Sequence, residues 1–419
     1  MDFESCLFRQ GQTDGTRPGE RPVKIRDITA TPVTVPMEAP LRWSMGVEIG
    51  TTRTLIRLKT DEGLEGIGET YGGEPTGRAV EFAKPFLIGM DPTEARLVVN
   101  KLQSFRVSYE SNIPLYVVAG IEMACWDVAG KMWGRPVASL LGGATRTEIP
   151  FAAYLFYRYK NENGIGGEDS AEAILDRCEA LVERHGFKVV KLKGGVLPPQ
   201  EELRTIKLLR ERFPEPCLLR FDPNAAWSVE TSVRLLPRMA EYDLEYGEDP
   251  TWNLEGMSLV RRDVPLPLAT NMCVISFDQI PSAVRLRAID IILADVHYWG
   301  GFLNNLRLGA VCETFQLGLG MHSDRELGVS TAAMLHLAAA MPYMVHAADS
   351  HYHDQVDDII TEPFRYHDGC FRLPDGPGLG VTLDEGKVEK YHRYYLEKGS
   401  VIEFLDPYRP SWIPNLPIF

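Results

Sequence analysis

The sequence predicts an α/β protein, a (β/α)7β TIM-like barrel with an α+β N-terminal capping domain. Three observations predict it. Polar residues close successive apolar runs at Lys193, Asp222, Glu248, Asn271, Asp295 and His322, with intervals of 29, 26, 23, 24 and 27 residues. Each interval holds about one strand, one helix and two short loops. Strand-like and helix-like segments alternate through this region, the pattern of a parallel sheet wrapped by helices. Before residue 151 the texture is instead mixed, with alternating segments followed by helical periodicity.

The elements follow in chain order. Residues 1–22, rich in Gly, Arg, Asp and Glu, read as a loosely docked N-terminal extension. Residues 23–150 form the capping domain. A strand is expected at 23–35, broken by Pro32 and Pro36, and a hairpin at 52–70 around the Asp61-Glu-Gly turn. Helices are expected at 79–87, 93–105 and 113–133. Between strand and hairpin, residues 37–51 are expected to form a loop long enough to serve as an active-site lid. Barrel strands are expected at 151–156, 189–193, 217–222, 244–248, 266–271, 291–295, 317–322 and 344–349. Helices between them are expected at 201–212, 229–242, 254–262, 277–287, 303–314 and 328–341. An open doubly wound sheet is the competitor, but no Gly-rich phosphate loop stands in the right context. Residues 386–419 carry one short helix and a Pro- and aromatic-rich stretch expected to pack on the cap.

Composition narrows the function. The 419 residues are 44% hydrophobic and 24% charged, ordinary for a globular chain, and the formal net charge of −14 argues against nucleic acid and anionic membranes. No run of 18 apolar residues is present, so no membrane partner is expected. The seven cysteines are scattered without a C-x-x-C pair, which fits free thiols in a reducing cytoplasm.

Residues at the C-terminal ends of successive barrel strands converge on one mouth. Asp222, Glu248 and Asn271 there offer only hard oxygen donors, the set that selects Mg²⁺ or Mn²⁺. Singly, each reads as a turn, a strand end or a cap; three in step read as a metal site. Lys191 and Lys193, two apart on a strand, point to one face, and the charge of each is expected to lower the pKa of the other. Asp295 and His322 end neighbouring strands, where a carboxylate on one imidazole nitrogen sets the tautomer. Capping of the next helix by Ser323 or Asp324 is the plainer reading of that segment. His297 and the Asp349-Ser-His351 strand end are further candidates, and His336, in an apolar helix, reads as structural. A divalent metal on a substrate carboxylate, with one base on either side of the α-carbon, permits proton abstraction. Loss of a β-hydroxyl then gives a 2-keto acid, and return of the proton to the other face gives an epimer.

The segments Gly186-Phe-Lys-Val-Val-Lys-Leu-Lys-Gly-Gly, Phe221-Asp-Pro-Asn-Ala-Ala-Trp, Tyr246-Gly-Glu-Asp-Pro, Leu268-Ala-Thr-Asn-Met, Leu293-Ala-Asp-Val-His-Tyr-Trp and Gly320-Met-His-Ser look like the strand ends of one family. Residues 124–143 look like its cap-to-barrel helix. From 23 to about 395 the chain resembles the enolase superfamily, in its mandelate racemase-like group, and most closely the glucarate dehydratases. Asparagine as third ligand is the specific mark. The resemblance implies a Mg²⁺-dependent acid-sugar dehydratase, a hydro-lyase, forming a homo-oligomer. By match, Asp222, Glu248 and Asn271 would bind the metal, Lys193 would be one base and Lys191 would help hold the carboxylate. His322, paired with Asp295, would be the other base and then the acid. Tyr154, Phe156, Asn224, Ser323, His351 and Arg53 would line the substrate. Two departures stand out. Residues 41–53 do not look like the family's usual cap loop. Asp324 stands where a neutral amide is expected, and would repel a second substrate carboxylate unless Arg42, Arg53 or Arg325 offsets it. A racemase with the same bases and a non-catalytic binding barrel are the alternatives.

Overall fold

The computed structural model describes residues 22–104 and 113–419. The extension expected at 1–22 and the end of the helix expected at 93–105 therefore lie largely or partly outside the described residues. Six cysteines among the described residues are all free thiols.

The N-terminal part is a three-stranded antiparallel sheet, ordered β1 (Ile25–Trp43), β2 (Gly46–Thr60) and β3 (Glu65–Tyr71). Pro32 and Pro36 do not break β1. They face Thr54 and Gly50 in the β1–β2 register, tolerated because β1 is an edge strand and its prolines forfeit few ladder bonds. The register slips between Ile25 and Asp27 and again after Pro36, before Leu41. Residues 37–51 are accordingly not a loop. They form the far half of a long hairpin whose turn is Ser44-Met45.

Helices Glu74–Leu87, Ala95–Gln103 and Leu115–Trp133 cover one face of this sheet. Ile25, Ile56, Leu58, Val80, Val117 and Ile121 are among its buried core, each fully buried aliphatic contributing about 1.5–3 kcal/mol. Close approach of β3 to the longest helix needs glycine. A Cβ at Gly66 or Gly68 would stand 2.1 Å from the Ala124 carbonyl oxygen or 2.0 Å from that of Gly120.

Seven parallel strands make the barrel wall: β5 (Ala153–Phe156), β6 (Val189–Lys193), β7 (Leu218–Asp222), β8 (Leu244–Glu248), β9 (Leu268–Thr270), β10 (Ile291–Ala294) and β11 (Gly318–Met321). They pair in sequence order, β5 to β11, as consecutive right-handed βα units dictate. The strand expected at 344–349 is reduced to one parallel bridge, Phe151 with Ala348. Bonds from the Ala348 amide to the Pro150 carbonyl (2.8 Å) and from the Asp349 amide to the Met321 carbonyl (3.0 Å) still close the ring between its edges. A further pair, β4 (Glu148–Pro150) with β12 (Cys370–Arg372), lies outside the barrel wall.

Helices follow the strands at Pro199–Arg212, Val229–Ala240, Leu254–Asp263, Ile280–Leu286, Phe302–Phe315 and Gly328–Ala340. One more, Ala171–His185, escaped the sequence reading although Ser170 caps it and Gly186 ends it in the left-handed conformation. The last helix, Glu385–Lys398, is followed by a tail that returns to the cap hairpin. The Val47 amide donates to the Glu403 carbonyl at 3.0 Å, and the Trp43 and Phe404 rings lie 5.5 Å apart. No helix among the described residues is long and apolar enough to cross a membrane.

Candidate active site

The strand ends β6 to β11 deliver their polar residues to one buried cluster. Alternation along β6 turns Val190 and Leu192 to the helix layer and Lys191 and Lys193 inward. Lys191 is fully buried, its Nζ 2.6 Å from Asp349 Oδ2, 2.6 Å from Glu248 Oε2 and 3.7 Å from Asp222 Oδ2. It also sits 4.6 Å from the centre of the Tyr154 ring. Burial disfavours its charge, but Asp349 and Glu248 outweigh burial and hold the ammonium well above the ordinary lysine range. This reverses the expected mutual depression: for Lys191, surrounding carboxylates dominate over the neighbouring lysine. Lys193 stands higher, 2.7 Å from Asp222 Oδ2 and hydrogen-bonded to Asn224 Oδ1.

Asp222, Glu248 and Asn271 lie at the ends of β7, β8 and β9. The Asp222 carboxyl is lowered because Lys193 and Lys191 override its burial, whereas burial pushes Glu248 up. Both Glu248 oxygens and Asn271 Oδ1 are buried without a hydrogen-bond partner; Lys191 is near Glu248 but not aligned to donate. Buried acceptors left unpaired are costly, and a hard divalent cation would satisfy them. No three His, Cys, Asp or Glu side chains among the described residues form a metal cluster. The donor set is two carboxylates and one amide, and it fits Mg²⁺. The backbone beneath is fixed by Asp249, which accepts from Thr270 Oγ1 at 2.5 Å and from the Asn271 amide at 2.8 Å.

Opposite, His322 Nδ1 is 2.9 Å from Asp295 Oδ2. The carboxylate can only accept, so Nδ1 carries the proton and Nε2 is left for a ligand. Asp295 is itself oriented by the His297 and Tyr298 amides at 2.6 and 2.8 Å. Burial would lower the His322 pKa, but the bond to Asp295 raises it.

A cavity of about 170 Å³ lies above the cluster, lined by Lys193, Asn224, Asn271 and His322 together with Tyr154, Phe156, Ser323 and His351. Lys191, Asp222, Glu248 and Asp295 lie beneath its surface. The His351 ring packs against Tyr154 and Phe156, both at 5.1 Å, and burial keeps it neutral, with a pKa well below the ordinary value. Ser323 donates to Glu326 Oε2 at 2.6 Å. Neither Ser323 nor Asp324 caps the next helix; Glu69 and Asp358 accept its first amides instead.

Two placements differ from expectation. Arg53 does not line the cavity. It is buried behind it, paired with Glu69 at 2.8 Å and bonded to His297 and Ser330. His297, wedged against Arg53, is held by burial and that charge down to about 3 and serves as packing. His336 is structural, accepting from the Ala138 amide and donating to the Leu379 carbonyl.

Trp43, Met45 and Glu48, from the segment expected to act as an active-site lid, also line the cavity, although as part of a hairpin rather than a loop. The sequence reading missed Glu403 and Phe404 of the tail, which was expected only to pack on the cap. Arg325, bonded to Asp324 through Nε at 2.9 Å and paired with Glu403, offsets the Asp324 charge. Arg42 is instead stacked on Tyr159.

Comparison with known families gives the same frame. The mandelate racemase/muconate lactonizing enzyme N-terminal domain matches residues 25–142, and the enolase C-terminal domain-like family matches residues 173–387. The chain belongs to the enolase superfamily, in the mandelate racemase/muconate lactonizing enzyme group. Within this superfamily it is 38% identical to a probable glucarate dehydratase of Streptomyces coelicolor, over 95% of this chain and 99% of that one. A solved enolase from Thermobispora bispora, complexed with magnesium and formate, is 38% identical, with a TM-score of 0.88 over 94% of this chain and 100% of that one. An enolase from Pseudomonas fluorescens with bound magnesium, potassium and tartrate is 36% identical, with a TM-score of 0.87 over 96% and 100% of the two chains. The cap hairpin, the barrel and the buried strand-end cluster thus belong to an enolase-superfamily chain along nearly its whole length.

Proposed function

We propose that this enzyme is a Mg²⁺-dependent acid-sugar dehydratase that removes the proton α to a carboxylate and expels the β-hydroxyl, giving a 2-keto-3-deoxy acid. One observation carries the reading: Lys193 and His322, a primary amine and an oriented imidazole, line the same cavity above buried oxygens that lack hydrogen-bond partners. Asp222, Glu248 and Asn271 would hold the metal. When bound, it neutralises charge developing on the substrate carboxylate as the α-proton leaves.

The chain's own groups do the rest. Lys193 takes the α-proton, helped by Asp222 and Asn224, which fix its Nζ. Lys191, kept charged by Asp349 and Glu248, supplies a fixed positive charge beneath the carboxylate. His322, with Nδ1–H held by Asp295, presents Nε2 on the cavity side. Protonated there, it gives its proton to the departing β-hydroxyl: the C–O bond breaks, water leaves, and the enol product tautomerises to the ketone. Tyr154, Phe156, Asn224, Ser323 and His351 would border the substrate chain, and Arg53 would act from behind by steadying the Glu69 and Ser330 contacts.

A panel of acid sugars incubated with purified protein and Mg²⁺, with 2-keto acid detection, tests the reaction. Because two bases share the cavity, epimerisation is the second reading; solvent deuterium at the α-carbon without keto product would replace the first by the second. Neither exchange nor product with any acid would leave a binding barrel.

A further inference from the structure

The wall of the cavity away from the metal donors is unusual in its charge. It is built from the cap hairpin, the Asp324-Arg325 turn after β11 and the tail, and it holds three carboxylates, Glu48, Asp324 and Glu403, around one guanidinium. Arg325 is already engaged, through Nε and Nη2 to Asp324, by a close pair to Glu403, and 3.8 Å from Glu48. Its left-handed backbone, φ 62°, is held by Thr51 Oγ1 donating to its carbonyl at 3.0 Å. Nε and Nη2 of this guanidinium are thus committed to the surrounding carboxylates. Glu48 Oε2, in contrast, is buried and lacks a hydrogen-bond partner, although it lines the cavity. Trp43, Met45 and Phe404 supply the rest of this wall.

A carboxylate reaching this wall would meet more negative than positive charge in a buried setting, where like charges are strongly unfavourable. A hydroxyl would meet an acceptor that lacks a donor, Glu48 Oε2, beside aromatic faces suited to C–H groups. We infer that the substrate is a monocarboxylate polyhydroxy acid, an aldonate-type chain whose far end is a hydroxyl, and that Glu48 and Glu403 select against a second carboxylate. This rests on the dehydratase reading only for orientation, with the reacting carboxylate at the metal donors and the rest of the chain along the remaining cavity.

Calorimetric titration of the Mg²⁺-loaded protein with matched hexonates and hexarates, tartrate included among the diacids, tests the inference alongside kcat/KM for each acid. The expected result is that the tightest ligand is a monoacid, preferred over its matched diacid by about tenfold or more. Glu48→Gln and Glu403→Gln should each narrow that ratio by several-fold. A diacid that binds as tightly as its monoacid partner, or a ratio unmoved in both variants, overturns the inference. Monoacid preference in binding without keto product would remove the dehydratase reading and leave this one standing. No binding by any acid would overturn both.

Discussion

At the residue scale, two lysines separated by one position on β6 end in different electrostatic company. Lys191 has carboxylates on three sides and no cavity surface; Lys193 touches Asp222 and Asn224 and faces the cavity. That difference supports the proposal that Lys193, rather than the pair, transfers the proton. Lys193→Ala and His322→Asn are each expected to lower kcat by about 10²–10⁴-fold while circular dichroism and thermal midpoint stay close to the parent. Near-parental rates in both would sink the mechanism. Asp295→Asn removes the charge that raises the His322 pKa, so the limb of the rate profile reporting His322 should move to lower pH as kcat falls. An unmoved limb would show that Asp295 only fills space. His322 and Asp295 were legible in the sequence because each ends an apolar run. Arg325 was named beside Asp324 and Glu48 fell within the expected lid, but Glu403 was not legible, because nothing in a solvated-looking charge reveals that another segment buries it.

At the element scale, the cap hairpin decides how the cavity is finished. Its tip is fastened to the barrel by Ser44 Oγ donating to the Asn224 carbonyl at 3.0 Å. The tail crosses the tip so closely that a Cβ at Gly46 would lie 1.9 Å from the Glu403 carbonyl oxygen. Gly46→Val should therefore lift the tail. Limited proteolysis is expected to cut residues 399–419 several-fold faster, with KM rising more than kcat falls, because the strand ends proposed to carry the chemistry are untouched. A tail that stays protected in this variant would refute the clamp. A loop was expected here because Pro36 and the glycines punctuate the segment. Edge placement makes those residues acceptable in a strand, and edge placement is not written in the local sequence.

At the scale of the whole molecule, buried acids tie cap to barrel. Glu69 on β3 holds Arg53 and accepts from the Leu327 and Ser330 amides at the start of helix Gly328–Ala340. Glu122, on helix Leu115–Trp133, accepts from Trp126 Nε1 and from the Leu303 amide, both at 3.1 Å, at the start of helix Phe302–Phe315. Burial pushes the Glu122 carboxyl up to about 7 from 4.5. A folded-state value above the unfolded one means the native state binds the proton more tightly. The associated stability is complete below about pH 4.5 and lost as pH rises through about 7, a difference of about 3 kcal/mol. Glu122→Gln, close in shape to the protonated acid, should flatten the dependence of stability on pH in that window. Denaturant titrations at pH 5 and pH 7.5 measure it, and an unchanged slope would mean that Glu122 is charged in the native state throughout.

By itself the sequence determined the barrel and which polar residues gather at its mouth. Both depend on periodicity: polar residues at the ends of apolar runs spaced one βα unit apart can only converge, because consecutive parallel strands point the same way. It also carried the oxygen-only donor set of Asp222, Glu248 and Asn271, since ligand hardness is a property of residue type. Only the tertiary structure decided the far wall of the cavity, the retreat of Arg53 into the support behind it, and the reduction of the eighth strand to a bridge. These come from contacts between segments hundreds of positions apart, such as Glu48 with Arg325 and Gly46 with Glu403. Local pattern carries no information about which distant backbone will bury a given charge.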